Sequence, residues 1–370
     1  MFLMMYRFFL LICWLMGFGL LYKIPNFKYQ SSHDTPLIRE TSLIIPARNE
    51  ERRIKPLLES IASLHERLHE VIVVNDQSED RTAEVASAYG CKVINSKPLP
   101  NGWQGKSWAC WQGAHAATGS VIMFLDADVW LTEGGLEKIL NQFSISETPL
   151  SVQPFHWIST YIENLSAYFN IILMMGTGVF TPRGNAVNPY AFFGPCQVFK
   201  KDDYFLVGGH ETAKQAILED MVLGCAFLSH GIPVRLMGGA GAIHFRMYPG
   251  GLSDIIEGWS KNFASGSATI HRGHMVLISL WITGSISVSF GLWRWIAHGF
   301  SVTGIPSVLL YLIFGVQIIW MLRRVGNFSR LSVVIFPIWA YAFMIIYVRG
   351  VIMTYIRKKV IWKGRTIYTR

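Results

Sequence analysis

Between residues 41 and 265 the chain reads as an α/β domain, with a mostly parallel sheet and helices on both faces, set between hydrophobic ends. Three observations predict this. Short apolar runs recur, each closed by proline or by a polar turn. Segments with apolar residues at helical spacing separate them. Apolar stretches of nearly bilayer-spanning length occupy residues 1–22 and 275–355. Strand and helix alternating in this way mean parallel strands joined by crossover helices.

The elements follow in order. Ser42-Leu43-Ile44-Ile45-Pro46 is a buried strand ended by proline, and residues 50–64 have helical spacing. Glu70-Val71-Ile72-Val73-Val74 is a second strand, stopped by Asn75-Asp76, and residues 78–89 form a helix closed by Gly90. Lys92-Val93-Ile94 is a third strand. The loop 98–105 leads to a helix over 107–118 that ends at Gly119. Val121-Ile122-Met123-Phe124-Leu125 is a fourth strand, followed at once by Asp126-Ala127-Asp128.

The 370 residues are 51% hydrophobic and only 15% charged, against about 25% charged in soluble domains. The deficit points to membrane segments. Residues 1–22 read as an N-terminal anchor, with Arg7 able to snorkel; no small-x-small cleavage site precedes Lys23. Runs at 275–293, 305–322 and 331–348 are each close to spanning length, giving two or three C-terminal helices within 275–355. Arg323-Arg324 and Arg357-Lys358-Lys359 follow the last two, the latter opening a basic tail at 356–370. Three crossings would put that tail opposite the soluble domain, while its charge favours the same face, so one run is expected to be re-entrant or interfacial. Residues 165–180 read as a buried or interfacial helix. The net charge of +9 flanks apolar runs and forms no basic-aromatic stripe, which fits an anionic membrane surface rather than nucleic acid. Five scattered cysteines without a C-x-x-C pair suit reduced thiols in a cytoplasmic domain.

In such sheets ligands bind beyond the carboxyl ends of the strands. Ala47-Arg48-Asn49-Glu50, Asn75-Asp76-Gln77-Ser78 and Asp126-Ala127-Asp128 stand at three such ends. Asp126 and Asp128 are candidate ligands for Mg²⁺ or Mn²⁺, which bind through one or two carboxylates plus substrate phosphates. An Asp-x-Asp alone also suits a solvated turn; its place after a buried strand favours the metal. Asp76 can bond a nucleobase or ribose, or cap the next helix, a task open to Ser78 or Asp80 as well. Arg48 and Lys106 are either diphosphate-binding cations or ordinary surface charges. Glu219-Asp220 sits between apolar runs, where partial burial would raise one carboxyl into the range of a general base; the alternative is a helix-surface pair. Gly208-Gly209-His210 marks a close backbone approach, and His244 is a ligand, a base or a structural residue.

Ile45-Pro46-Ala47-Arg48-Asn49-Glu50, Val74-Asn75-Asp76-Gln77-Ser78, Asp126-Ala127-Asp128, Gly208-Gly209-His210 and Glu219-Asp220 together resemble the family 2 glycosyltransferases of GT-A fold. The resemblance implies a nucleotide-sugar-binding domain. It implies that Pro46, Ala47, Arg48, Glu50 and Asp76 bind the nucleotide, usually uridine, and that Asp126 and Asp128 hold metal-diphosphate. Asp220, with Glu219, would be the catalytic pair of an inverting transfer, Lys106 joining the donor site. The family's common Asp-Asp-Gly-Ser is here Asn75-Asp76-Gln77-Ser78, and the Gln-x-x-Arg-Trp motif of processive synthases is absent, so a single transfer is expected. Phe245-Arg246-Met247-Tyr248, Glu257-Gly258-Trp259-Ser260-Lys261, Arg323-Arg324-Val325-Gly326 and Trp362-Lys363-Gly364-Arg365 resemble the carotenoid-acid glycosyltransferases. That likeness implies UDP-glucose as donor and a membrane-dissolved C30 carotenoid carboxylic acid as acceptor. The wider family admits hopanoid, polyprenyl-phosphate or diacylglycerol acceptors. Residues 161–180, with Trp259 and Lys261, are expected at the bilayer surface. A decayed scaffold would not keep Asp126, Asp128 and Asp220 together, and about four spans around a large soluble domain do not suit a transporter.

Overall fold

The computed structural model describes residues 2–31, 34–216, 218–267, 270–356, 359–362 and 365–368. The chain forms two compact units. One, an α/β unit, comprises Pro25–His156 and Phe192–Met247. The other, a helical unit, comprises Met1–Ile24, Trp157–Ala191 and Tyr248–Arg370.

In chain order the helices are α1 (Phe2–Leu20), α2 (Lys55–Ile61), α3 (Thr82–Ala88), α4 (Gly105–Ala116), α5 (Gly135–Ser144), α6 (Ala167–Gly176), α7 (Lys201–Leu206), α8 (Gly209–Thr212), α9 (Glu219–Ser229), α10 (Leu252–Ser267), α11 (Arg272–Ala297), α12 (Ile305–Val325) and α13 (Ser332–Val351). The strands are β1 (Thr41–Ala47), β2 (Glu70–Asn75), β3 (Lys92–Asn95), β4 (Val121–Leu125), β5 (Val129–Leu131), β6 (Leu150–Gln153), β7 (Phe155–His156), β8 (Cys196–Lys200), β9 (Arg235–Gly238) and β10 (Ile243–Phe245), with a C-terminal hairpin of β11 (Lys359–Trp362) and β12 (Arg365–Tyr368).

The α/β unit is built on a seven-stranded sheet of order β3-β2-β1-β4-β8-β6-β9. The pairs β1–β2, β1–β4, β2–β3 and β6–β9 are parallel, while β8 runs antiparallel to both β4 and β6. A second sheet of order β5-β10-β7 stands beside it in the same unit. Successive strand residues face opposite layers. Leu43, Ile45, Val71 and Val73 pack with Leu57, Leu58 and Leu140, whereas Ile44, Ile72 and Val74 pack with Ala109, Ala114 and Phe227. Gly113 lets α4 lie close on β1, since a Cβ there would come within 2.5 Å of Ile44. The β1–β4 ladder ends at Ile44–Phe124, so Pro46 removes no donor from it.

Two helices are shorter than their periodicity suggests. Residues 78–81 do not join α3, because side chains take over the backbone there: Ser78 N–H donates to Asn75 Oδ1 and Thr82 N–H to Asp80 Oδ1. The helix expected over 50–64 narrows to α2, preceded by turns and followed by a 3₁₀ turn at Ala62–Leu64.

In the helical unit, Leu3–Leu20, Arg272–Ala297, Val302–Val325 and Val334–Ile356 are long and apolar enough to cross a membrane. Helix α1 runs antiparallel to α11 and parallel to α12. Tyr6 Oη donates to the Ser287 carbonyl at 2.9 Å, Trp14 Nε1 to that of Ile313 at 3.1 Å, and Arg324 Nη1 to that of Tyr22 at 2.8 Å. Buried Gln317 ties three helices together: its amide donates to the Trp14 carbonyl at 2.6 Å and accepts from Trp281 Nε1 at 3.0 Å. Glycines allow the close approach typical of helices packed in lipid. A Cβ at Gly284 would fall 2.5 Å from the Cβ of Cys13. Tyr311, in the first half of α12, bonds the carbonyl of Val334 in the first turn of α13. A plain antiparallel hairpin would set Val334 beside the last turn of α12 instead, so the start of α13 lies back along α12.

Helix α6 and Trp259, expected at a bilayer surface, are covered by protein instead, as the buried-helix reading of residues 165–180 has it, while Tyr161 and Ile162 ahead of α6 are exposed. Helix α6 is apolar all round and is buried within its unit, as such helices are. Phe169 is fully covered, stacked on Trp259 at 4.6 Å and edge-on to Phe343 at 4.8 Å. Trp259 is itself buried and donates to Ser166 Oγ at 2.9 Å. The Lys261 side chain and residues Arg357, Lys358, Lys363 and Gly364 lie outside the described residues.

Gly284→Val should overpack the α1–α11 contact and destabilise the protein by about 1–3 kcal/mol, the usual range for added core volume. Gly19, on the same α1, has no atom within 4 Å of a built Cβ, so Gly19→Val should leave stability near wild type. Thermal unfolding in one detergent separates the two; equal melting temperatures would overturn the close packing at Gly284.

Candidate functional site

The parallel register brings the carboxyl ends of β1, β2 and β4 to one edge of the sheet. Here the turns after β1 and β2 are laced together. Asp76 N–H donates to the Ala47 carbonyl at 2.8 Å, Asn49 N–H to Ser78 Oγ at 3.1 Å, Glu79 N–H to Asn49 Oδ1 at 2.8 Å, and Glu50 N–H to Thr82 Oγ1 at 2.8 Å. Arg48 Nη1 donates to the Asp76 carbonyl at 3.0 Å and lies 3.8 Å from its Oδ2. Asp76 and Glu50 are buried. Asn49 and Gln77 hold φ of +53° and +54°, a left-handed conformation that few residues other than glycine adopt. Gln77 thus stands in the backbone conformation that suits a glycine, and the turn survives the departure from Asp-Asp-Gly-Ser.

Beyond β4 the chain turns sharply at buried Ala127, and Asp126 and Asp128 are both half-buried. The turn is anchored by Asp126 N–H donating to the Pro195 carbonyl at 3.0 Å. Lys106, in the first turn of α4, reaches across: its Nζ is 2.8 Å from Asp126 Oδ1 and 2.9 Å from Glu219 Oε1. Burial opposes its charge, but the two carboxylates outweigh that and hold the ammonium firmly protonated. Lys106, expected as a donor-binding cation, pairs here with two carboxylates.

Glu219 and Asp220 are the first two residues of α9. Burial pulls the Glu219 carboxyl upward, yet Lys106 overcomes this and leaves it below its ordinary value. Asp220 goes the other way: burial first, and the Glu219 charge second, push it up to about 7. A Cβ on Gly194 would lie 3.2 Å from Asp220 Oδ2, so the backbone at 194 forms a wall of this carboxyl's niche. Gly208 and Gly209, at φ +83° and +49°, lead into α8. There Tyr204 Oη accepts the His210 N–H at 3.0 Å and pairs with His210 Nδ1 at 2.8 Å. His210 is buried, and desolvation lowers its pKa to about 4, so the ring stays neutral. Sequence reading missed Gly194 and Tyr204; Gly194-Pro195 ahead of β8 was the available signal for the first, and nothing local marks the second. His244 lies in β10 with its ring between Trp130 (5.8 Å) and Phe155 (5.4 Å), a packing position.

The donor set around Asp126 and Asp128 suits a hard divalent cation. Both candidate ligands are carboxylates, and among the described residues no group of three His, Cys, Asp or Glu side chains could hold a metal unaided. Such a site leaves coordination positions for substrate oxygens, as Mg²⁺ and Mn²⁺ sites do, and lacks the nitrogen and sulfur ligands of structural zinc.

Residues 42–166 match the model of the family described as Glycosyl transferase family 2. The chain is 38% identical over 328 residues to the 4,4'-diaponeurosporenoate glycosyltransferase of Staphylococcus aureus (strain USA300), covering 88% of this chain and 87% of the relative. It is 37% identical over the same shares to that of strain MRSA252. Among solved structures, the mannosyltransferase PcManGT from Pyrobaculum calidifontis, in complex with GDP-Man and Mn2+, aligns with a TM-score of 0.52 at 12% identity, covering 93% of this chain and 95% of that one. At that identity the likeness speaks for the fold alone. Relatives matched along nearly their whole length, with a family match spanning β1 to β7, leave one conclusion: the chain belongs to the family 2 glycosyltransferases and has their GT-A fold.

Proposed function

We propose that this glycosyltransferase moves a single sugar, glucose, from a UDP-sugar to a C30 carotenoid carboxylic acid dissolved in the membrane. The observation that carries this reading is the similarity to the 4,4'-diaponeurosporenoate glycosyltransferases, which covers 88% of the chain. An acceptor of that size stays in the bilayer, because each CH₂ withdrawn from lipid costs about 0.8 kcal/mol. The enzyme comes to it instead, held by the apolar stretches 1–22 and 275–355, with the domain at 41–265 on the cytoplasmic side where nucleotide sugars are made.

Pro46, Ala47, Arg48, Glu50 and Asp76 hold the nucleoside in the laced turns after β1 and β2. Asp126 and Asp128 would hold Mg²⁺ or Mn²⁺, which when bound supplies charge neutralisation to the departing diphosphate. The acceptor carboxylate attacks the anomeric carbon opposite the leaving group. One C–O bond forms as the bond to UDP breaks, so the configuration inverts. An ionised carboxylate has no proton to give up. Asp220, its pKa raised by burial and by Glu219, then acts as a proton holder: neutral, it can donate a hydrogen bond to the acceptor carboxylate instead of repelling it.

Isolated membranes given labelled UDP-glucose and either a C30 carotenoid acid or lipid alcohols, read by mass spectrometry, test the acceptor class. Glycosyl ester formed from the acid supports the proposal; transfer to the alcohols alone overturns it. Asp128→Asn should abolish transfer while leaving expression and membrane association unchanged, because the site needs charge and not bulk. Full activity of that variant in excess chelator would remove the metal from the reading.

The pH dependence has a definite sign. A protonated Asp220 is lost as pH rises through about 7, so the wild-type rate on the acid should fall there. Asp220→Asn, neutral at every pH, should keep activity within about tenfold and show a flat profile. A general base would behave oppositely: the rate would rise through the same range and the variant would lose roughly 10²–10⁴-fold, the range for loss of a general base. That second outcome would point to an alcohol acceptor.

A further inference from the structure

We propose that Lys106 is a shared counter-ion that makes metal binding at Asp126 depend on the nucleotide, and so couples the donor carboxylates to the Glu219–Asp220 pair. The inference rests on the glycosyltransferase reading of the site above. Its starting point is the double ion pair: one ammonium 2.8 Å from Asp126 and 2.9 Å from Glu219. These carboxylates come from distant parts of the chain, one after β4 and one at the start of α9.

Two further features suit Lys106 to this task. It lies in the first turn of α4, the helix end that disfavours a cation, and that turn contains no acidic residue. Asp126 and Glu219 therefore supply the anionic field that keeps the ammonium there. The segments leading into the two helices are also joined: Gln104 N–H donates to the Lys214 carbonyl at 2.7 Å, and Ser107 Oγ to the Ala213 carbonyl at 3.4 Å. Lys106 and Glu219 are thus positioned by one local splice of backbone.

A divalent cation approaching Asp126 meets a carboxylate already satisfied by an ammonium, and the two cations repel in a partly desolvated site. With a nucleoside diphosphate present, the repulsion is relieved. The lysine has a flexible stem and three donors, and its side chain is 29% exposed, so it can swing to the phosphate oxygens. Asp126 is then left to the metal. The swing also releases Glu219, beside Asp220, only when the donor is in place. Metal and nucleotide consequently favour each other's binding, by the same factor in each direction.

The test is made on the full chain in lipid nanodiscs, with Mn²⁺ binding read by electron paramagnetic resonance with and without UDP. In the wild type, UDP should tighten Mn²⁺ by about 10-fold or more, within the usual span of coupling between sites. Lys106→Met should bind Mn²⁺ alone roughly 5-fold tighter or better, and the factor between the two conditions should shrink towards one. Lys106→Arg, which keeps the charge, should keep Mn²⁺ alone weak. Unchanged or weaker Mn²⁺ binding in Lys106→Met overturns the proposal while leaving the enzyme reading intact. A wild type that binds neither Mn²⁺ nor UDP overturns the reading itself. Should Lys106→Met not fold, Glu219→Gln serves instead: it leaves Lys106 to Asp126 alone, so Mn²⁺ without UDP should weaken, and no change would overturn the proposal.

Discussion

Carboxylates gathered at the end of a buried sheet repel one another, and the α/β unit depends on how that repulsion is met. Asp126 and Glu219 share one ammonium. Asp76 has the guanidinium of Arg48 close by. Asp220, the neighbour of Glu219 on α9, is kept in check by a raised pKa instead. Each device answers the same electrostatic constraint, and each leaves a different chemistry: a shared cation, a single one, and a proton near neutrality.

The backbone supports this arrangement with strain of its own. Asn49 and Gln77 adopt the left-handed conformation at adjoining turns, which costs roughly 1 kcal/mol or more for a residue such as glutamine. Four hydrogen bonds from the facing turns hold them there. The start of α8 is held differently, by the Tyr204–His210 contact beside the glycine pair, with a neutral imidazole that adds no charge to a crowded site.

Much of this was legible in the sequence, for physical reasons. Strands β1, β2 and β4 each carry a short apolar run that ends in a polar turn, and a buried strand leaves little else for such a pattern to be. The order of Asp76, Asp126 and Asp220 was readable for the same reason. Antiparallel β8 was not, because Cys196–Lys200 follows a long excursion and its partner in the sheet is set by tertiary contacts. The double pairing of Lys106 was not readable either, since the charge of a lysine says nothing of which distant carboxylate it meets. Helix α6 shows the opposite failure: its apolar character was plain, but a stripe that is apolar on every side fits the interior of a helix bundle as readily as a lipid surface, and Phe169 stacked on Trp259 shows which one holds.

The hydrogen bond from Gln317 to the carbonyl of Trp14 joins residues 303 apart in sequence. During synthesis at roughly 5–20 residues per second, α1 emerges on the order of 15–60 seconds before its polar partner exists. Long and apolar enough to cross a membrane, it can enter a bilayer as a helix whose backbone is already satisfied, and wait. Helix α11 arrives next and closes on α1 through Gly284 and Cys13 and through the Tyr6 hydroxyl, which donates to the Ser287 carbonyl. Only then does Gln317 enter, to find Trp281 and Trp14 already side by side. The placement of Gln317 on the later helix, where it meets Trp281 and Trp14 together, makes the order of translation an order of assembly.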